Sequence, residues 1–198
     1  MSASSITKAG GKGTASDVKL VIPQLEKWPA ATLLTLKQQG TKVVVCRGSV
    51  TDYLTDLKGV RPRGWPPGST WDSVPGLCDS PKNEVVIAII GHASGKPHVP
   101  RKGEGHGSYN LVVHESAHAV DKCTGGKTHR STGAAFTAAR KKDLATLDAY
   151  ESQPAPAGPE ETWAESAARY YGGDKSDAKT HPNLHKFWAT HPVTTSNR

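Results

Sequence analysis

The sequence predicts an α+β fold: a small mixed sheet, an active-site helix packed against it, and a helical C-terminal half. Two apolar runs, Lys42-Val-Val-Val-Cys46 and Glu84-Val-Val-Ile-Ala-Ile-Ile90, are short enough to be buried strands. Later segments carry helical periodicity with matching start and stop signals, the first of them around His114-Glu115-Ser116-Ala117-His118. Strands followed by helices, rather than strict alternation, give the α+β class.

Each element follows from its residues. Residues 1–16 are small, polar and basic, and are expected to form a flexible N-terminal tail, with 17–198 as a single domain. Pro29 to Gln39 reads as a helix closed by Gly40. Between the two strands, Gly59 to Pro81 is rich in Pro, Gly and Trp and is expected to be a long structured loop. Gly91 to Gly107 is a second such loop. The helix around His114 includes flanking residues from Ser108 to Val120 and stops at Gly125-Gly126. Ala134 to Tyr150 reads as a helix with Phe136, Leu144 and Leu147 in the core. Glu160 to Tyr171 reads as another, with Pro159 at its start and Gly172-Gly173 at its end. A last short helix, Asn183 to Thr190, carries Phe187 and Trp188. No internal repeat is visible.

The chemistry is concentrated in two of these helices. Histidines four apart lie one above the other on a helix, so both imidazoles of His114 and His118 reach one metal ion. A glutamate directly after the first histidine then polarises a metal-bound water, the H-E-x-x-H arrangement of zinc peptidases. A catalytic zinc needs a third protein ligand. Glu161 and Glu165 share a helix face and repel each other unless a cation intervenes. Zinc on one of them, with the other orienting a ligand histidine, relieves that conflict.

Together these stretches resemble the gluzincin peptidases, and within them the anthrax lethal factor-like metallopeptidases, a group that includes the bacterial Pro-Pro endopeptidases. The resemblance rests on His114-Glu-x-x-His118 followed by Ala119-Val120-Asp121, and on Glu161-Thr-Trp-Ala-Glu165. A third stretch, Gly64-Trp65 through Thr70-Trp71-Asp72-Ser73-Val74-Pro75-Gly76 and the strand from Glu84, is similar to the segment leading into the family's active-site edge strand. The resemblance covers roughly residues 40 to 190. It implies one Zn2+ ion held by His114, His118 and Glu161, with Glu115 as general base and Glu165 in support. The family also places an oxyanion-stabilising tyrosine a few residues before the ligand glutamate. Here Gln153 to Pro159 holds none, so the role passes to Tyr150 through a longer proline-rich loop or is missing.

The function expected is peptide-bond hydrolysis in a protein or peptide substrate, with an extended substrate pairing against the edge of the strand Glu84–Ile90. His92, which ends that strand, is placed near the cleft; it and His98, His106 and His129 are read as surface histidines. The sequence carries no clean specificity signal. A non-catalytic zinc-stabilised binding or toxin-associated module is the alternative, favoured by the missing well-spaced tyrosine. The formal charge of +7 comes from short, scattered clusters not interleaved with aromatics. That reads as solvated surface, so no nucleic acid is expected. No run of 18 apolar residues suggests a membrane span, and no signal-peptide core is visible. The chain is expected to be a monomer, either a toxin or secreted effector exported without a classical signal peptide or else cytoplasmic. An immunity protein or secretion machinery is the partner an exported chain implies. Of three cysteines, Cys46 and Cys78 either bridge or serve as small buried residues, and Cys123 is not needed as a ligand.

Overall fold

The computed structural model describes residues 2–62, 65–122 and 129–193. Four strands, β1 (Thr7–Ala9), β2 (Lys42–Arg47), β3 (Gly76–Asp79) and β4 (Glu84–Ile89), lie side by side in the order β1-β2-β4-β3. The pairs β1/β2 and β2/β4 are parallel, whereas β3 runs antiparallel to β4. The sheet is therefore mixed and small, as the sequence predicts. Side chains alternate along each strand. Val43, Val45, Val85, Ile87 and Ile89 enter the main core beneath the helices. Val44, Cys46, Val86 and Ala88 enter a second core closed by Val50, Leu54 and Val74 from the following loop. Burial on both faces explains why β4 reads as a continuous apolar run.

The helices are α1 (Ala15–Leu25), α2 (Ala30–Gln38), α3 (Leu111–Asp121), α4 (Ala134–Asp143), α5 (Ala157–Gly172), α6 (Asp177–Thr180) and α7 (Pro182–Thr190). Helix α3 is packed between the sheet and α5. Its buried polar surface is satisfied by tryptophans, whose rings fill the core while their N–H groups find acceptors. Trp28 Nε1 donates to Ser116 Oγ at 2.7 Å, and Trp163 Nε1 to the Ala117 carbonyl at 3.1 Å. Trp188 Nε1 donates to Ser166 Oγ at 2.9 Å, tying α7 to α5. Phe136, Trp163, Phe187 and Trp188 meet edge to face around this point.

Several expectations are corrected. The N-terminal segment is no loose tail: Ile6 and Ala3 are fully buried, and β1 extends the sheet. The loop after β1 then passes so close to β2 that a Cβ on Gly13 would overlap the Val45 carbonyl. Helix α1 follows, started by a reciprocal capping box between Thr14 and Asp17. The region Gly59 to Pro81 contains β3, a fourth strand that the sequence reading left as loop. Consequently β4 is an interior strand, and the sheet edge on this side belongs to β3. The helix from Ala134 ends at Asp143 rather than Tyr150, because the Asp143 carboxylate caps α7, accepting from Asn183 N and Leu184 N. Leu144 is exposed, while Phe136 is buried and Leu147 packs against the core. Helix α3 begins at Leu111, with Asn110 as its cap, and the expected stop at Gly125-Gly126 lies outside the described residues. Cys46 and Cys78 are free thiols, pushed up to about 12 by burial, so they form no bridge; Cys123 lies outside the described residues.

Candidate active site

Helix α3 presents His114, Glu115 and His118, and α5 presents Glu161 and Glu165, to one cleft of about 490 Å3. The side chain of Asn110 accepts Val113 N at 3.1 Å and so fixes the start of α3 one turn ahead of the histidines. The two imidazole Nε2 atoms stand 3.3 Å apart, and Glu161 Oε2 lies 3.5 Å from His114 Nε2 and 3.4 Å from His118 Nε2. These three are the set of His, Cys, Asp or Glu side chains, among the described residues, whose ligand atoms converge tightly enough for a metal ion. A tetrahedral zinc with bonds of about 2.0–2.1 Å needs ligand atoms roughly 3.3–3.4 Å apart, so the donor set fits zinc. Glu161 Oε2 is moreover buried without a hydrogen-bond donor, an arrangement that costs free energy unless a cation occupies the point between these atoms.

The second carboxylate sets the histidine. His114 Nδ1 lies 3.1 Å from Glu165 Oε2. Donation of Nδ1–H to Glu165 leaves the Nε2 lone pair facing Glu161 and His118, the tautomer a metal ligand requires. Glu165 is itself held, since its Oε1 accepts Tyr109 N at 3.0 Å. Burial opposes charge on His114, but the Glu161 and Glu165 carboxylates beside it outweigh burial and raise its pKa to about 10. The same contacts, from His114 and His118, hold Glu161 well below the usual carboxylate range despite its burial.

Glu115 lies against Gly76 at the start of β3. Burial raises its pKa, while the two histidines work against that rise. The backbone of Cys78 in β3 also works to lower it. The approach of Glu115 to β3 depends on Gly76, because a Cβ there would sit 2.6 Å from Leu111 Cδ1 and 3.0 Å from Glu115 Oε1. Tyr150 also lines the cleft, and burial together with the nearby Glu161 carboxylate raises the pKa of its hydroxyl. Both residues line the same cleft, so the long sequence interval between Tyr150 and Glu161 does not separate them in space.

Other histidines are placed differently. His106 lines the cleft, but its ring is spent on its own loop: Nδ1 accepts Ser108 N and Nε2 faces the Pro100 carbonyl. Burial lowers its pKa accordingly. His92 does not line the cleft; its Nε2 lies 3.1 Å from Asp17 Oδ1 beside α1. His98 faces Glu104, and His129 faces Asp121 and Glu160. The sequence reading named Gly76 but missed the β3 edge it begins, because a four-residue strand with one aliphatic side chain gives almost no local signal.

Comparison with known proteins places this arrangement. The family described as anthrax toxin lethal factor, N- and C-terminal domain, matches residues 12–187. A Pro-Pro endopeptidase of Paenibacillus alvei is 39% identical over 115 residues, an alignment spanning 57% of this chain and 48% of that relative's length. A Pro-Pro endopeptidase of Clostridioides difficile is 33% identical over 168 residues, or 83% of this chain and 69% of the relative. The solved structure of the Pro-Pro endopeptidase from Paenibacillus alvei superposes with a TM-score of 0.76 at 30% identity, covering 94% of this chain and 97% of that one. With the family matched over most of its length, a relative of 33% identity and the same fold, the chain belongs to the family of the anthrax toxin lethal factor N- and C-terminal domains.

Proposed function

We propose that the protein is a zinc-dependent endopeptidase. The observation that carries the reading is the convergence of His114, His118 and Glu161 within 3.5 Å of one another, in a cleft that also holds Glu115 and Tyr150. These three residues would hold the ion, and zinc supplies Lewis acidity toward a carbonyl oxygen and toward water. Glu115 accepts the proton of the attacking water and delivers it to the departing amine. Tyr150 donates its hydroxyl to the oxygen on which negative charge develops. The free edge of β3 pairs with the substrate backbone, holding the scissile bond beside Glu115.

The relatives' names make a Pro-Pro sequence the substrate to test first. The cleft supports such a choice in its rim: Trp65 and Trp71 line it, with ring centroids 6.3 Å apart, and offer apolar faces for proline rings. The non-catalytic module loses its motive, since the tyrosine it took as missing lies in the cleft. Export as a toxin or effector, with an immunity protein or secretion machinery as partner, and a monomeric state complete the proposal; the neighbouring genes and cell fractionation test the export. No helix among the described residues is long and apolar enough to cross a membrane.

The test is Glu115→Gln, assayed for bound zinc and for cleavage of quenched fluorescent peptides. Zinc should stay at one equivalent while turnover falls by about 10²–10⁴-fold. Cleavage at the wild-type rate by this variant refutes the reading.

A further inference from the structure

Helix α5 carries a third charged residue on the face that holds Glu161 and Glu165. Arg169 follows Glu165 by one further step of four residues, and it is buried. Its two terminal nitrogens donate to the two oxygens of Glu151, each at 2.9 Å, while Nε donates to Asp177 Oδ1 at 3.0 Å. Nη1 also lies 4.0 Å from Glu165 Oε1. Glu151 is 2% exposed and is the neighbour of Tyr150, which is 50% exposed. One residue of the loop is thus locked inside the protein, and the next reaches the cleft.

The rest of the loop is anchored around the same residue. The Glu151 carbonyl accepts Arg140 Nη2 at 2.7 Å and Thr162 Oγ1 at 2.9 Å. Asp148 Oδ1 accepts both Tyr150 N and Glu151 N. A half-exposed tyrosine ahead of a proline-rich excursion has little packing of its own to fix it. Misplacing a reacting group by about 1 Å costs on the order of a hundredfold in rate, so such a tyrosine needs an external anchor.

We propose that Glu151 and Arg169 are positioning residues for Tyr150: their buried, doubly hydrogen-bonded pair holds the tyrosine in the cleft that Glu161 also lines. Because Arg169 also faces Glu165, one cation registers both the tyrosine and the carboxylate that orients His114. The inference rests on the zinc-endopeptidase reading and assigns the parts that make Tyr150 competent. Neither residue touches the substrate in this account.

The experiment is a double-mutant cycle on the full chain loaded with zinc, using quenched peptides with a central Pro-Pro and randomised flanks. Glu151→Gln in the wild-type background is expected to lower kcat at least tenfold, with KM within threefold and one zinc retained. In the Tyr150→Phe background the same change is expected to alter kcat less than threefold, because its target has already gone. Equal losses in both backgrounds, or undiminished kcat for Glu151→Gln, overturn the proposal. If Glu151→Gln does not fold, Arg140→Lys, which removes the bond to the Glu151 carbonyl, is read in the same cycle with the same criteria. Glu115→Gln and Tyr150→Phe run in parallel separate the two levels. If both are crippled while Glu151→Gln and Arg140→Lys are not, the positioning pair fails alone. If Glu115→Gln is active, or the wild type cleaves nothing in the library, the endopeptidase reading itself fails and takes the pair with it.

Discussion

At the residue scale the site is a division of labour among glutamates that sequence distinguishes only in part. Glu115 lies against Gly76 of β3, Glu161 Oε2 lies between two histidines without a donor, and Glu165 faces a ring nitrogen of His114. The roles follow from what each oxygen touches. His114, Glu115 and His118 were readable because helical spacing is local. Tyr150 was readable only as one of two alternatives, because its approach to the cleft depends on a loop whose course the sequence does not specify. Removing the charge of Glu165 leaves the ligands in place but loosens the His114 tautomer. Glu165→Gln should therefore weaken zinc about 10–100-fold, the usual cost of losing such a supporting carboxylate. Competition with a chelator measures it, and unchanged affinity would remove Glu165 from the account.

At the scale of elements, the active site is a contact between α3, α5 and β3, and each was legible to a different degree. Helices α3 and α5 announced themselves by four-residue spacing and by glycine at the end of α5, where Gly173 takes up the left-handed conformation at φ 89°. Strand β3 exists through its pairing with β4, a non-local event, so Gly76-Leu77-Cys78-Asp79 looked like loop. Helix α1 carries signals that the sequence reading passed over: Thr14 and Asp17 form a capping box, and Val18, Val21, Ile22 and Leu25 follow helical spacing. The polar composition of the first residues concealed it and β1. Ile6 discriminates between tail and strand, because it is buried at the parallel join between β1 and β2. Ile6→Ala should cost about 2–5 kcal/mol, a fall in Tm on the order of 4–20 °C. A loose tail predicts no change in the melting curve.

At the scale of the whole molecule, buried ionic groups join the C-terminal helices to the site. Asp177 is fully buried and receives Arg169, His181 and His185. Burial works against its charge, but His181, His185 and Arg169 outweigh it and keep its pKa below the ordinary 3.8. His181 is raised above its ordinary 6.5 by Asp177, against opposition from burial and Arg169. The signs are opposite. The His181 contribution to stability is complete below pH 6.5 and is lost as pH rises through its folded value; the Asp177 contribution is present above pH 3.8 and is lost as pH falls through its own. Denaturation midpoints of the wild type and His181→Gln should therefore differ most between those limits and converge above the folded pKa of His181. A gap that widens with rising pH would contradict the assignment.

The central claim is that His114, His118 and Glu161 hold one zinc ion. The most direct measurement is anomalous diffraction at the zinc edge from crystals of the zinc-loaded protein. A single peak about 2.0–2.2 Å from both Nε2 atoms and a Glu161 oxygen is the predicted result. A peak at any other residues, or none in protein that cleaves peptides, would contradict it.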